Sequence, residues 1–354
     1  MPELRAILHL DLDAFFCAVE ILLDPGLKGK PLVVGGASEN RGVVAAASYP
    51  AREYGIHSAM PMIEARRRCK DLVIRGSSFK TYRMYSKIVM GILRNASPVI
   101  QQVSVDEAYL DLTEQIGEWW DATEVARQLQ LRISRDVGLS LSVGVATNKM
   151  LAKIASDFDK PHGLTVVSPG EEQRFLDPLS VKKIPGIGPK MTERLAKYGV
   201  YRIEQLRQLS RDLLQKRHGK YGEAMYNWAR GIDDRPVHED HEAKSVSTER
   251  TFSSDIRDSE ELLGILQNLS VKVAQQLDKD QRAGNTVTIK IRYKDFSTYT
   301  RQHSGVEAIW EGEDIYEIAR KLFIRNWVPG APLRLLGVGV SHFTERKGQL
   351  RLKL

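Results

Sequence analysis

The sequence predicts an α+β protein of several domains, with a ferredoxin-like domain first, a helical domain after it and a basic domain last. Its 354 residues, 42% of them hydrophobic, are enough for more than one core, because a domain takes roughly 100 to 200 residues. Between residues 6 and 146 the hydrophobic runs follow a strand-helix-strand-strand-helix-strand order, which is the split ferredoxin-like pattern. Residues 170–231 then become almost wholly helical, and a basic segment begins at residue 244.

The first domain is predicted from elements with clear start and stop signals. A buried strand over residues 6–12 leads into a helix over residues 13–23, which the Asp-Pro-Gly sequence at 24–26 ends. The remaining elements are a helix at 82–95, strands at 99–105 and 108–112, a helix at 122–136 and a strand at 139–146. An insertion over residues 24–79, with a strand at 30–36 and short helices at 50–54 and 62–68, is expected to form a small subdomain.

Two acidic clusters interrupt these strands. Asp11 and Asp13 end the first strand, and Asp106 and Glu107 lie where a hairpin would let both face one site. Carboxylates suit a hard cation such as Mg²⁺, which takes oxygen ligands and shares them with substrate phosphates. Asp13 could share the face of Asp11, but N-capping of the next helix is an equally good role, so we leave it out of the metal set. The split site predicts phosphoryl or nucleotidyl transfer.

A glycine-rich turn is the second motif. Residues 183–190 read Lys-Ile-Pro-Gly-Ile-Gly-Pro-Lys and lead into a helix, whose N-terminus can bind a phosphate oxygen. The motif resembles the helix-hairpin-helix, a sequence-independent clamp on the DNA backbone, and an ordinary interhelical turn is the alternative. We predict that Gly186, Gly188, Lys190 and Thr192 bind DNA.

The positive charge of the chain favours a polyanionic partner. The formal net charge is +7, and from residue 244 onward basic residues outnumber acidic ones. In a strand predicted at 287–294, alternation sends Lys290, Arg292 and Lys294 to the face opposite the apolar residues. A solvated charged face is the alternative, but with the upstream motif we predict that this face follows DNA phosphates. Residues 233–243 lack an apolar period and are expected to form an exposed linker.

The two cysteines and the N-terminus indicate the cellular setting. Cys17 and Cys69 lie in apolar or helical surroundings without the spacing of a zinc site, so we expect buried, reduced thiols. No apolar stretch approaches the roughly 20 residues needed to span a bilayer. We therefore expect no membrane association and a cytoplasmic location.

Seven motifs, taken together and in this order, resemble those of the Y-family DNA polymerases, in the bacterial DNA polymerase IV group. They are residues 11–16, 49–52, 104–109, 144–149, 160–163, 184–188 and 244–250, so the resemblance covers essentially the whole chain. It implies a right-hand polymerase with a ferredoxin-like palm, small fingers, a helical thumb that carries the helix-hairpin-helix, and an α/β little finger. The implied domains are a palm over 1–23 and 78–168, fingers over 24–77, a thumb over 169–232, a linker over 233–243, a little finger over 244–344 and a clamp-binding tail over 345–354.

The resemblance also implies roles for single residues. Asp11, Asp106 and the carbonyl of Leu12 would bind metal, and Glu107 would complete the site at the primer end. Asp11, Asp106 and Glu107 would be the catalytic carboxylates, and two Mg²⁺ ions the cofactors. The incoming deoxynucleoside triphosphate would be bound by Phe15, Phe16, Tyr49, Arg52 and Lys160.

The resemblance also places Phe16 and Ala46 near the triphosphate. Phe16 resembles the family's steric gate, an aromatic ring against the sugar, and a core aromatic on the helix is the alternative. Ala46 stands where the family often has a threonine, so one hydrogen bond to the triphosphate would be lost, worth about 0.5 to 1.5 kcal/mol.

The implied activity is template-directed DNA synthesis of low fidelity, used in translesion synthesis, because the small residues at 43–46 suggest a roomy lid over the nascent base pair. No segment of this sequence remains that could house a proofreading exonuclease. The partners of the expected monomer are primer-template DNA, deoxynucleoside triphosphates and a sliding clamp. The residues predicted to bind the clamp, for which an edge strand is the alternative, are Gln349, Leu350, Leu352 and Leu354.

Two other classes of function share some of these features. A nucleotide cyclase can have the same palm and paired carboxylates, but it has no use for a DNA clamp. A noncatalytic DNA-binding scaffold would not need the complete set of Asp11, Asp106 and Glu107.

Overall fold

The structure is a computed structural model that describes residues 4–36, 41–239, 242–344 and 346. The chain divides into two compact units, of which the first comprises residues 1–37 and 42–240, and the second residues 38–41 and 241–354. Each unit has its own hydrophobic core. Among the described residues, no helix has the length and apolar character needed to cross a membrane.

The elements of the first unit form a five-stranded sheet with its helices, a small subdomain inserted between the first two strands of that sheet, and a run of helices at the end of the unit. In chain order they are β1 (Ile7–Leu12), α1 (Phe15–Leu23), β2 (Leu32–Gly35), β3 (Val44–Ala47), α2 (Tyr49–Glu53), α3 (Met62–Arg68), β4 (Val73–Arg75), α4 (Phe79–Arg94), β5 (Ile100–Gln102), β6 (Glu107–Asp111), α5 (Asp121–Val137), β7 (Leu141–Ala146), α6 (Lys149–Ser156), β8 (Leu164–Val166), α7 (Glu172–Leu176), α8 (Pro189–Ala196), α9 (Ile203–Gln208), α10 (Arg211–His218) and α11 (Lys220–Trp228). Short 3₁₀ helices lie at Pro25–Leu27 and Val181–Lys183.

A five-stranded sheet of order β5-β6-β1-β7-β8 confirms the ferredoxin-like prediction. Its first four strands are antiparallel, with β1 between β6 and β7, and β8 pairs parallel to β7. The fifth strand, β8, was not predicted, because three residues are too few to show a strand period. The β5–β6 pairing also confirms the predicted hairpin that precedes Glu107.

The two faces of β1 have different roles. Leu8, Leu10 and Leu12 are buried in the core formed with α4 and α5. His9 and Asp11 alternate onto the opposite face, where α6 packs. A Cβ at Gly144 would lie 2.0 Å from the carbonyl oxygen of Ala152, so only glycine lets α6 approach the sheet this closely. The covering helix leaves the Asp11 end of this face open to the cavity described below.

The insertion forms a small subdomain, as predicted. β2 pairs antiparallel with β3 and parallel with β4, and α2 and α3 pack beside this sheet around a core that includes Val33, Val44 and Met62. Val44 is 1% exposed, so it belongs to this core and not to a lid. Cys17 and Cys69 are buried and unbridged, which confirms that prediction.

The predicted linker is wrong in its first half. Asp233 is 6% exposed, and its carboxylate accepts a hydrogen bond from the backbone N of Met150 at 3.0 Å. Asn148 Nδ2 donates to the carbonyl of Gly231 at 2.7 Å, and Val237 is buried. The run of charges suggested solvent exposure, but the carboxylate of Asp233 instead satisfies an orphan N–H at the start of α6.

The second unit is a four-stranded antiparallel sheet with two helices on one face. Its elements are β9 (Ser245–Ile256), α12 (Ser259–Lys279), β10 (Ala283–Tyr293), β11 (Thr298–Ile309), α13 (Gly312–Asn326) and β12 (Leu333–Thr344), and the strand order is β11-β10-β12-β9. Val287, Ile289 and Ile291 are fully buried, which confirms the predicted alternation. The strand ends at Tyr293, so the prediction that Lys294 belongs to it is wrong. The tight turn that follows, in which Asp295 accepts from Ser297, ends the strand.

Candidate active site

A cavity of about 120 Å³ opens at the end of β1. It is lined by Asp11, Leu12, Ala14, Phe15, Phe16, Ala45, Ala46, Tyr49, Arg52, Ser58, Asp106 and Lys160. Ligand pockets typically measure about 300 to 1,000 Å³, so this volume can form only the base of a nucleotide site. The lining comes from β1, α1 and the turn between them, from β3, from α2 and the loop after it, from the β5–β6 loop, and from the loop after α6.

Asp11 and Asp106 meet in this cavity, as predicted. Asp106 ends the β5–β6 loop, and its carbonyl accepts a hydrogen bond from the backbone N of Leu12 at 3.0 Å. Ser104 Oγ donates to the Asp106 carboxylate and also accepts from the backbone N of Glu107 at 3.1 Å. The loop is therefore fastened to β1 beside Asp11.

The Asp11 carboxylate is buried beside a lysine. Lys160 Nζ lies 2.7 Å from Asp11 Oδ1 and 2.9 Å from Asp157 Oδ1. Burial nevertheless raises the pKa of Asp11 to about 6, because the attraction of Lys160 offsets only part of the cost of desolvation. A carboxylate that one lysine stabilises incompletely is suited to receive additional positive charge.

Glu107 lies opposite Asp11 in the β1–β6 register, so both side chains are on the same face. Its carboxylate contacts His9 and Lys153. His9 Nε2 donates to Glu107 Oε2 at 3.1 Å, and Lys153 Nζ forms an ion pair with the same oxygen. These contacts, the His9 hydrogen bond first, lower the pKa of Glu107 to about 2. Glu107 therefore stands beside the cavity and is not among the residues that line it.

His9 and Lys153 are site residues that the sequence analysis missed. His9 is fully buried, and its Nδ1 lies 2.7 Å from Ser156 Oγ on α6. A signal for His9 existed, because it precedes Asp11 by two residues and so occupies the same face of the strand. Lys153 had no such local signal, since its contact with Glu107 spans 46 residues of chain.

Asp13 does not cap α1, so the capping alternative is wrong. The residue before the helix is Ala14, with φ 45° and ψ 44°, and no side chain caps this helix start. Asp13 is 4% exposed, and the left-handed turn leaves its side chain on the face of the sheet that Asp11 shares. Its carboxylate accepts hydrogen bonds from Ser142 Oγ at 2.8 Å, Tyr49 Oη at 3.3 Å, Ser140 Oγ at 2.6 Å and His162 N at 3.0 Å.

Tyr49 and Arg52 come from the short helix α2. Ser48 caps this helix through a hydrogen bond from the backbone N of Ala51. Tyr49 is the first residue of the helix, and Arg52 lies in its last turn. The Arg52 guanidinium lies 4.6 Å from the centroid of the Tyr49 ring, and Arg52 Nε donates to the carbonyl of Ala47 at 3.0 Å. Burial, followed by the charge of Asp13, raises the pKa of Tyr49 to about 12. Tyr49 is therefore a neutral hydroxyl donor at pH 7.

Phe16 faces the cavity, whereas Phe15 belongs to the core. Phe15 is 2% exposed, so its ring has almost no surface to offer a ligand. Phe16 is half-buried and stacks on Tyr82, with ring centroids 4.4 Å apart and planes at 19°. Phe79 meets the Phe16 ring edge-on at 5.9 Å. The two roles considered for Phe16, a steric gate and a core aromatic, are thus compatible. Its ring packs in an aromatic cluster and also lines the cavity.

Comparison with known proteins identifies the family. The impB/mucB/samB family matches residues 10–157, its C-terminal domain residues 243–354, and the DNA polymerase-iota thumb domain residues 182–233. Proteins named DNA polymerase IV from Alkalilimnicola ehrlichii and Staphylococcus aureus strain JH9 are 42% and 40% identical over 337 and 341 residues. These matches cover 95% and 96% of both chains. The chain belongs to the Y-family DNA polymerases, in the DNA polymerase IV group.

Solved structures agree with this membership. A Y-family DNA polymerase chimera of Dbh and Dpo4 has a TM-score of 0.87 at 29% identity, and an insertion ternary complex of Dbh DNA polymerase has 0.68 at 28%. Both matches cover 96% of this chain and 100% of the other. This Y-family chain is therefore an enzyme, a DNA-directed DNA polymerase, and the predicted right-hand fold is confirmed.

The oxygen donors of this Y-family site fit a divalent metal. Asp11, Asp106 and the carbonyl of Leu12 offer hard oxygen ligands at one cavity. Mg²⁺ is typically bound by one or two carboxylates together with substrate phosphates, so two carboxylates are enough. Within the part of the chain that the structure describes, no three His, Cys, Asp or Glu side chains come together as a metal cluster. Glu107 contacts Lys153.

The residues predicted to bind DNA lie in two separate places. Gly186, Gly188 and Lys190 line a groove of about 600 Å³ at the start of α8, where Gly186 has a φ of 98° that favours glycine. Thr192 Oγ1 instead donates to the carbonyl of Gly188 at 3.1 Å. In the second unit, Lys290 pairs with Glu249 at 2.6 Å, so the predicted basic face is partly neutralised.

Proposed function

We propose that this chain is a template-directed, low-fidelity DNA polymerase that extends a primer 3′-hydroxyl with deoxynucleotides, using two Mg²⁺ ions, and that it acts in translesion synthesis. The observation that carries the proposal is the convergence of Asp11, Asp106, Tyr49, Arg52 and Lys160 on one cavity in a chain of a polymerase family. Carboxylates and cations side by side suit a reaction in which metal ions and a triphosphate must be held together.

The proposed metal ligands are Asp11, Asp106 and the carbonyl of Leu12, with Glu107 at the primer end. Bound Mg²⁺ would supply positive charge for the attacking and leaving oxygens of an in-line displacement. Glu107, with a pKa of about 2, is a weak base at pH 7, so it suits a ligand better than a general base. His9 and Lys153 hold its carboxylate ionised and on the face of Asp11.

The triphosphate is proposed to lie against α2 and the loop after α6. Arg52 offers a planar fork for phosphate oxygens and Lys160 a point charge. The Tyr49 hydroxyl donates to Asp13, so Tyr49 contributes through its ring, which the Arg52 guanidinium contacts. In the reaction, the primer 3′-oxygen bonds to the α-phosphorus while the bond to the departing pyrophosphate breaks. The side chains position the reactants and neutralise charge, which is the main contribution a protein makes to this chemistry.

Low fidelity is proposed from the small residues of the cavity. Ala45 and Ala46 line it and offer few contacts by which a wrong base pair could be rejected. Phe16 is proposed to exclude ribonucleotides, because its ring faces the cavity from α1. The same open surface would admit a distorted template base.

DNA is proposed to bind at the helix-hairpin-helix groove and along the second unit. Gly186 and Lys190 can present backbone N–H groups and one charge to a phosphate, and Gly188, whose N–H donates to the carbonyl of Gly186, shapes the turn between them. Thr192, whose hydroxyl donates within the start of α8, is proposed to support DNA binding by that helix. In the second unit, Lys290, Arg292 and Lys294 are proposed to contact DNA phosphates. A salt titration of primer-template affinity tests this, because each lost phosphate contact reduces the slope of log K against log salt by about 0.9.

A sliding clamp is a proposed partner of the monomer through Gln349, Leu350, Leu352 and Leu354, all of which lie outside the described residues. Deleting residues 349–354 should abolish clamp-stimulated processivity and leave distributive synthesis intact. Equal loss of both activities in the deleted chain would contradict the proposal. Sedimentation of the full chain alone should give a single species near the 39.9 kDa monomer mass.

Incubation with a labelled primer-template tests the proposed function. With Mg²⁺ and deoxynucleotides, we expect extension that follows the template and tolerates mismatches. Without nucleotides, a mispaired primer end should remain intact, because no proofreading is proposed. A cyclic product from a nucleotide alone would favour a cyclase, and DNA binding without any extension would favour a scaffold.

A further inference from the structure

A buried carboxylate joins two segments that carry proposed nucleotide-binding residues. Asp13 Oδ1 accepts from Tyr49 Oη, and Tyr49 begins the helix that also carries Arg52. Asp13 Oδ2 accepts from the backbone N of His162, two residues after Lys160. The end of β1 is thus connected through one side chain to both sides of the proposed triphosphate site.

The loop that carries Lys160 needs such a connection. His162 has a φ of 60°, a left-handed conformation that is unfavourable for a residue with a side chain. A Cβ at Gly163 would lie 1.9 Å from the carbonyl oxygen of Asp159, so the loop is folded tightly on itself. The hydrogen bond from His162 N to Asp13 holds this conformation against the sheet.

The donors around Asp13 are all neutral. Ser140 and Ser142 of β7 and its preceding loop add two hydroxyl bonds, so each carboxylate oxygen accepts two hydrogen bonds. A carboxylate is the side chain of this size that accepts at both oxygens and donates at neither. Its charge strengthens each bond relative to a neutral acceptor.

We propose that Asp13 is a positioning residue for the incoming nucleotide, which sets the placement of Tyr49 and of the Lys160 loop around the triphosphate. The inference rests on the proposed function, since it names what one of its buried residues does. Asp13 itself is not proposed to contact metal or nucleotide.

Affinity for a nucleotide without turnover tests the proposal. The full-length chain is bound to a primer with a dideoxy end, and the Kd of the next templated deoxynucleoside triphosphate is measured for the wild type, Asp13→Ala and Asp13→Asn. Asp13→Ala should weaken nucleotide binding about 10- to 100-fold, because hydrogen bonds to a charged group are lost at both segments. Primer-template affinity should stay within about twofold of the wild type.

Asp13→Asn provides the conservative rescue. Its one oxygen can still accept from His162 N, while its NH₂ can donate to the rotatable hydroxyls of Ser142 and Tyr49. Nucleotide affinity should therefore recover to within about tenfold of the wild type. In the Asp13→Ala background, adding Tyr49→Phe should cost less than it does in the wild type, because the hydroxyl has already lost its acceptor.

Hydrogen exchange gives a second readout that needs no catalysis. The peptide containing His162 should exchange faster in Asp13→Ala than in the wild type, while peptides of α5 should not change. Unchanged nucleotide affinity, unchanged exchange at His162, or a changed metal requirement with unchanged nucleotide affinity would each overturn the proposal. A wild-type chain that binds the nucleotide but extends no free primer end would contradict the proposed function instead.

Discussion

The packing of Tyr82 predicts how the ring of Phe16, the proposed steric gate, is held in place. Tyr82 is fully buried, its ring stacks on Phe16 at 4.4 Å, and its hydroxyl donates to Glu20 Oε1 at 2.6 Å. Tyr82→Leu removes the flat face on which Phe16 rests. Tyr82→Phe keeps that face and removes only the hydroxyl. Comparing the two variants therefore separates the effect of the stacked ring on Phe16 from the effect of the hydrogen bond to Glu20 on stability.

The expected magnitudes differ for the two variants. Stacking of this kind contributes about 0.5 to 1.5 kcal/mol beyond buried area. Its loss in Tyr82→Leu should reduce discrimination against ribonucleotides about 2- to 10-fold, at 1.36 kcal/mol per factor of ten. Tyr82→Phe should lower the free energy of unfolding by about 1.5 to 3 kcal/mol, because a bond to a charged acceptor is lost, and should keep discrimination.

Single-nucleotide insertion assays test this prediction. The ratio of kcat/KM for a deoxynucleotide to that for the matching ribonucleotide is determined for both variants, with Phe16→Ala as the reference in which the gate is removed. Equal loss of discrimination in Tyr82→Phe and Tyr82→Leu would show that the stacked ring of Tyr82 does not support Phe16. Full discrimination in Phe16→Ala would show that the ring of Phe16 is not the gate.

Three further predictions concern packing. Asp233→Ala should lower the free energy of unfolding, measured in urea, by about 1 to 3 kcal/mol, because a buried N–H at a helix start loses its acceptor. The same change at its exposed neighbour, Asp234→Ala, should have little effect. Equal effects of the two variants would contradict this prediction. Burial raises the pKa of Cys17 to about 12, so at pH 8 the native chain should keep this thiol protonated and resist iodoacetamide, and rapid alkylation before unfolding would count against it. Gly144→Ala should destabilise the chain strongly in thermal denaturation, because its Cβ would lie 2.0 Å from a backbone oxygen. Gly264→Ala, where the space is open, should stabilise its helix by about 0.5 to 1 kcal/mol. A tolerated Gly144→Ala would contradict the close approach of α6 to the sheet.

The strands, and the meeting of Asp11 and Asp106 at one cavity, could be predicted because their signals are local. Alternation along β1 separates Leu8 and Leu10 from Asp11, and a hairpin follows from two short strands that flank Asp106. The buried face of β10 followed from the same period. Boundaries were less accurate where a turn residue decides them, as Asp295 does after Tyr293.

The side-chain networks around the site could not be predicted, because they join distant parts of the chain. Asp13 accepts a hydrogen bond from His162, which lies 149 residues later in the chain. The capping role that we weighed for Asp13 depends only on its neighbours in sequence. Asp233 looked exposed within a charged run, yet its partner lies 83 residues earlier. The contact of Lys153 with Glu107 is equally non-local. Tertiary structure alone decides such partners.

Asp11 and Asp106 are proposed to be the pair of carboxylates that makes nucleotidyl transfer possible in this chain. Single-turnover primer extension with saturating Mg²⁺ and nucleotide tests it in Asp11→Asn and Asp106→Asn. Asp111→Asn is the matched control, because this residue of β6 bonds to Thr113 away from the cavity. We expect at least about a 1,000-fold loss of rate in the two site variants, which corresponds to roughly 4 kcal/mol of transition-state stabilisation. Primer-template affinity should be retained, and the control should stay near wild type. A site variant that extends the primer within tenfold of the wild-type rate would contradict it.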